Sequence, residues 1–291
     1  MPAKDILKKI KRIEISTRKA VNSLVGGEYH SVFKGRGMEF DEVKQYQPGD
    51  QISSIDWKVT ARTGVPFVKK FVEERELTVM LMVDISASQQ FGSSMKTKRD
   101  IVEEVAALLA FSAIKNNDRV GMLLFSENID LYLPPRKGRG HGMRVIKELV
   151  SVSPKSRGTS IVNAMEYMGK VVKTRSIVIL ISDFLDDGYE NQLNIFSKKH
   201  NLLLVRINDH LEKDFPGDGL IFMQDAETGE YMTVDLSDRA WQKAFKERSE
   251  KADEEWERML RKLKIDSIDL NTSSSCIVPL RNFFKKRSGR Y

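Results

Sequence analysis

The sequence predicts a doubly wound α/β fold on a mainly parallel sheet, preceded by a small N-terminal α+β appendage. Three observations carry that expectation. Leu77–Ile85, Arg119–Phe125, Ser176–Ser182 and Leu202–Ile207 are apolar along nearly their whole length. Strands of that kind have to be covered on both faces. Stretches with helical spacing alternate with them, the rhythm of a parallel sheet wound by helices. Finally, 291 residues with 41% apolar and 31% charged side chains suit one large globular domain with a smaller one attached.

Taken in order, Ile6, Leu7, Ile10, Ile13 and Val21 recur at helical spacing among lysines and arginines, an amphipathic helix that Gly26-Gly27 ends. The following stretch to Gly64 is rich in glycine and aromatic residues, with turn signals at Pro48-Gly49-Asp50 and Arg62-Thr63-Gly64. It reads as short strands and loops, with Phe33, Phe40, Tyr46 and Trp57 forming a small core. An extended run, Phe67–Glu76, leads into the first buried strand. A helix over Lys98–Lys115 follows, then Arg119–Phe125 with a short partner Ile129–Leu133. The run Gly138–Gly142 reads as a flexible loop, before helices at Gly142–Val152 and Ile161–Thr174. After Ser176–Ser182 come a helix Tyr189–Lys199 and the strand Leu202–Ile207. Leu220–Gln224 and Tyr231–Leu236 pair as a hairpin around Thr228-Gly229. A long charged helix, Asp238–Lys264, and a last strand, Ile265–Leu270, complete the domain. The expected division is residues 1–75, 76–275, and a basic tail at 276–291.

Composition removes several function classes. Apolar runs are strand-sized, short of the roughly 18 to 20 residues that span a bilayer. The start has no apolar signal core, and the one cysteine, Cys276, excludes a disulfide framework or a cysteine-built zinc site. A reduced cytoplasmic protein is expected. Its net charge of +7 is uneven: residues 1–75 carry 15 basic and 10 acidic side chains, the last eleven carry 5 and none, and 76–280 carry 28 and 31. Basic ends hold acidic protein, nucleic acid or an anionic surface, or serve solubility alone. Scattered histidines, no Gly-Lys-Ser/Thr phosphate loop and no nucleophile elbow leave no recognisable catalytic constellation.

The chemistry concentrates at strand ends, where open parallel sheets bind ligands. Asp84, Ser86 and Ser88 leave the first strand at alternating positions, so an extended exit puts a carboxylate and two hydroxyls on one side. Asp183 ends the Ser176–Ser182 strand, and Thr159 precedes a helix start. This all-oxygen set suits a hard divalent cation, Mg²⁺ or Mn²⁺, held weakly because few carboxylates take part.

Asp84-x-Ser86-x-Ser88, Thr159 after Gly158, and strand-end Asp183 together resemble the metal-ion-dependent adhesion site of the von Willebrand factor A domain. The resemblance implies direct coordination by Ser86 and Ser88 and direct or water-mediated binding by Thr159. It gives Asp84 and Asp183 roles mostly through water, and leaves a sixth position for a partner's carboxylate. Gly35, Arg36, Gly37, Glu39, Phe40, Pro48, Gly49, Asp50, Asp56, Trp57 and Arg62, with the ending VPLRNFFKKR, resemble a second group. It is the bacterial family catalogued as domain of unknown function number fifty-eight, which joins such a segment to a von Willebrand A-like domain. That resemblance implies an adaptor working with a MoxR-type AAA+ ATPase in protein maturation or assembly.

The expected function is therefore a non-enzymatic, metal-dependent interaction module that docks an acidic surface of the ATPase or its client. Lys96, Lys98, Lys137, Arg139, Lys155 and Arg157 are expected to form a basic rim that steers it. The alternatives are a nucleic-acid-binding module using the basic ends and a metal-dependent hydrolase.

Overall fold

The computed structural model describes residues 3–25, 39–72 and 77–288. The chain forms two compact units, Lys34–Glu76 and the remainder, Met1–Phe33 with Leu77–Tyr291. The N-terminal helix thus groups with the large unit rather than with the appendage expected at 1–75.

In the small unit, β1 (Glu39–Gln45) pairs antiparallel with β2 (Phe67–Val72), and α1 (Trp57–Thr63) lies between them in sequence. Asp56 caps that helix through the amides of Lys58 and Val59, and Gly64, at φ 73, ends it in the left-handed conformation. Asp50 is spent locally on Lys44 Nζ at 2.7 Å and the Gln47 amide. Trp57 is 68% exposed, so it is not the core residue the sequence leads one to expect. It stands in the first turn of a seven-residue helix that buries none of its residues. Gly35, Arg36, Gly37 and Phe33 lie outside the described residues.

The large unit holds a six-stranded sheet whose strands, in chain order, are β3 (Thr78–Asp84), β4 (Arg119–Phe125), β5 (Ile129–Arg136), β6 (Ile177–Ser182), β7 (Asn201–Asn208) and β10 (Asp266–Asn271), while β8 (Leu220–Gln224) and β9 (Tyr231–Asp235) form a separate hairpin.

 Across the sheet the order is β10-β7-β6-β3-β4-β5, every pair parallel except β4 with β5. Alternate residues of β3 serve two cores. Val79, Leu81 and Val83 face α2 (Lys98–Lys115), α3 (Arg139–Ser151) and α7 (Ile277–Ser288), while Met80 and Met82 face α4 (Ile161–Val171), α5 (Glu190–Lys199) and α6 (Arg239–Leu263). The N-terminal helix, Ala3–Val25, adds an outer layer: Ile10 and Ile13 pack with Ala107, Ile146 and Val150, and Lys9 pairs with Asp100 and Glu103.

Three expectations change here. The basic tail expected at 276–291 is, over Ile277–Ser288, a packed helix: α7 buries Leu280 and Phe284 completely, because its apolar residues recur at helical spacing toward the sheet. The run after Gly138 is the first turn of α3 rather than a loop, and Gly142 is needed inside that helix. A Cβ there would stand 1.7 Å from Ile114 Cδ1, so the glycine lets α2 and α3 approach closely. Lastly, β5 runs antiparallel, which carries the 137–142 segment to the amino edge of the sheet, where His141 Nε2 meets the Val120 carbonyl at 2.9 Å. Among the described residues no helix is long and apolar enough to cross a membrane.

Candidate functional site

β3 and β6 end side by side at the carboxyl edge, where the chain reverses the direction in which it adds strands. Such switch points open crevices in doubly wound sheets. Asp84, the last residue of β3, is completely enclosed there. Its Oδ1 accepts the Ser86 amide at 2.9 Å, and its Oδ2 accepts the Ser182 hydroxyl at 2.6 Å and Gln89 Nε2 at 3.4 Å. Among the described residues these donors are all neutral. Burial, with the Asp183 charge beside it, pushes the Asp84 carboxyl up to about 7.

The exit from β3 is a 3-10 turn, Ala87–Gln90, rather than the extended segment expected. It still turns Ser86 Oγ and Ser88 Oγ toward each other at 3.1 Å, and both residues are buried. The loop before α4 is strapped alongside: the Ala87 amide donates to the Arg157 carbonyl, and the Ser160 amide to that of Ser126, each at 3.0 Å. Asp186 caps α4 from the β6 loop, its Oδ2 accepting the Ile161 amide at 2.7 Å. Thr159, held by this strapping, donates its hydroxyl to Glu227 Oε1 at 2.7 Å. Glu227 sits in the turn between β8 (Leu220–Gln224) and β9 (Tyr231–Asp235). Phe184 follows Asp183 at φ 58, a strained backbone for a non-glycine residue. Contacts of its ring with Tyr189 and Trp256 hold it there.

Lys98 is the main departure from expectation. Placed on a basic rim by the sequence, it is fully buried, with Nζ 2.6 Å from Asp183 Oδ2 and 2.5 Å from Glu212 Oε1. Burial opposes its charge, but the two carboxylates outweigh it and hold its pKa above the ordinary lysine value. Its position at the first turn of α2 is fixed by the Thr97–Asp100 capping box. The rim expectation fails further: Lys96 is paired with Glu104 at 2.6 Å, and Lys137 and Arg139 belong to the amino edge. Lys155 and Arg157 remain near the cluster, alongside Glu127, Asp186, Glu212 and Glu227.

The sequence thus locates Asp84, Ser86, Ser88, Thr159 and Asp183, and the fold brings all five to one edge. It misses Lys98, Glu212 and Glu227, because no local pattern announces which distant side chains meet. The donor set is oxygen throughout. The separations of 3.1 Å for Ser86–Ser88 and 2.7 Å for Thr159–Glu227 are those of hydrogen bonds that hold the oxygens together. Among the described residues no group of three or more His, Cys, Asp or Glu side chains is arranged to hold a metal. A cation here would therefore lean on hydroxyls and water, with Asp183 already partly neutralised by Lys98.

The family described as "Protein of unknown function DUF58" matches residues 42–255. The uncharacterized protein Rv1480 of Mycobacterium tuberculosis is 29% identical over 223 residues, 76% of this chain and 70% of that protein. The uncharacterized protein YeaD of Bacillus subtilis is 23% identical over 57% of this chain and 40% of its own length. Among solved structures, the conserved hypothetical protein BatB from Bacteroides thetaiotaomicron is 16% identical. It covers 73% of this chain and 99% of its own, with a TM-score of 0.48.

Proposed function

From the premise that the chain belongs to the DUF58 family, we propose that its large unit is a von Willebrand A-like, non-enzymatic docking module whose carboxyl edge holds Mg²⁺ or Mn²⁺. The observation that carries the reading is Asp84: a fully enclosed carboxyl with neutral donors only, beside two buried hydroxyls that face each other. Ser86 and Ser88 would bind the cation directly, Thr159 would complete that side, and Asp84 and Asp183 would act through water. The bound cation would supply a positive centre for an acidic side chain of a partner. Ser182 and Gln89 hold Asp84 in place, and Lys98 orients Asp183 through its ion pair. The partner in this reading is a MoxR-type AAA+ ATPase or its client, with the chain as adaptor. A carboxyl near 7 also suits a general base. Asp84, however, is enclosed with both oxygens engaged, which favours docking over hydrolysis.

The test is a Mn²⁺ titration of the native chain and of Ser86→Ala/Ser88→Ala, followed by capture of the ATPase with and without EDTA. Native binding in the upper micromolar to millimolar range, lost in the double variant together with capture, is expected. Equal titrations, or capture indifferent to EDTA, would remove the cation from recognition.

A further inference from the structure

The β8–β9 hairpin contributes nothing to the central sheet, yet its turn brings a carboxylate to the strand ends. Glu227 Oε1 takes the Thr159 hydroxyl at 2.7 Å, and a Cβ on Gly158 would stand 4.0 Å from its Oε2. The turn is built to hold this position. Asp225 Oδ1 accepts the amides of Glu227 at 2.9 Å and Thr228 at 2.7 Å. Gly229 closes the turn at φ 76, a conformation that favours glycine, and a Cβ there would meet Arg157 Nη1 at 2.7 Å. The tip is therefore packed on the same 157–159 loop that carries Thr159. Among the described residues no lysine or arginine is paired with Glu227. Burial, aided by the charges of Asp183, Asp225 and Asp186, raises its pKa.

The hydrogen bond to Thr159 holds a carboxylate oxygen directly against one hydroxyl of the cluster, and a carboxylate is a favoured ligand of a hard divalent cation. We propose that Glu227 is the in-chain carboxylate of this site: it completes the cation's oxygen shell from the hairpin tip, and a partner's carboxylate takes that position only by displacing it. The inference rests on the cation-dependent docking reading and adds a regulatory part to it. The hairpin becomes a latch, and docking requires that its tip leave Thr159.

The experiment uses the full chain with Mn²⁺ as probe, comparing native protein, Glu227→Gln and the exposed hairpin control Glu230→Gln. Affinity is read by electron paramagnetic resonance, bound water by proton relaxation, and the hairpin tip by hydrogen exchange at residues 225–230. Glu227→Gln is expected to bind Mn²⁺ about tenfold more weakly, since a charged ligand is lost. It should gain relaxivity as water takes the vacated position, and lose the slowing of tip exchange that Mn²⁺ induces in the native chain. Glu230→Gln should match the native protein in all three. Native-like affinity, relaxivity and tip exchange in Glu227→Gln would overturn the ligand role and leave the cation site standing. Equal weakening in Glu230→Gln would overturn it too, as an effect of net charge. A native chain that binds no Mn²⁺ overturns the docking reading and this inference with it.

Discussion

His200 stores a pH dependence that owes nothing to the candidate site. Its ring is buried, Nδ1 accepts the Ser176 amide at 3.3 Å, and Nε2 has no hydrogen-bond partner among the described residues. Burial, with Lys199 and Arg175 adding positive charge nearby, lowers its pKa to about 4. The unfolded chain titrates near the ordinary 6.5, so it binds more protons between those values. The stabilisation is complete above about 6.5 and is lost as pH falls toward 4, reaching about 2 kcal/mol between pH 7.5 and 5. Urea unfolding at the two pH values should show that increment in the native chain and not in His200→Asn; an equal loss in both would assign it elsewhere. Residues of this kind divide by legibility. Asp84, Ser86 and Ser88 are readable because a strand end and an alternating set of oxygens are local facts. Lys98 is not, because its burial depends on Asp183 and Glu212, 85 and 114 residues away. A lysine in sequence reads as solvated unless its counter-charges are known.

At the scale of elements, α7 separates composition from packing. Its lysines and arginines read as a basic tail, yet Leu280 and Phe284 are fully buried and Arg287 Nη2 meets Asn201 Oδ1 at 2.7 Å. Phe284→Ala is expected to cost about 3–5 kcal/mol, the usual loss for a large aromatic removed from a packed core. Arg281→Ala, on the exposed side, should stay within about 0.5 kcal/mol. Denaturant midpoints check both, and a neutral Phe284→Ala would return the segment to the status of a tail. The parallel strands of the core needed no such correction. Arg119–Phe125 is read with the same bounds from sequence, since a run buried on both faces leaves an unbroken apolar signature.

For the whole molecule, charge placement decides how a partner would arrive. The basic excess lies in residues 1–75 and the last eleven, whereas the carboxyl edge carries Glu127, Asp186, Glu212 and Glu227 near the cluster. A basic rim would have given strong electrostatic steering, with an on-rate that falls steeply with salt. Without it, recognition at this edge should depend on the cation. With the proposed partner, a MoxR-type ATPase, surface plasmon resonance should show an on-rate that changes less than about threefold between 50 and 300 mM NaCl, and binding abolished by EDTA. A steep salt slope with no EDTA effect would move the interaction to the basic ends.

The sequence by itself determined the alternation of buried strands and helices, the hairpin, and the oxygen-bearing residues at strand ends. Each is written in periodicity or in local residue chemistry. Tertiary structure alone decided that the 137–142 segment lies at the opposite edge, that Lys98 is an internal cation, and that Glu227 reaches Thr159. Those facts follow from strand order and direction, which set the meeting of residues far apart in the chain, and no local pattern encodes a distance between them.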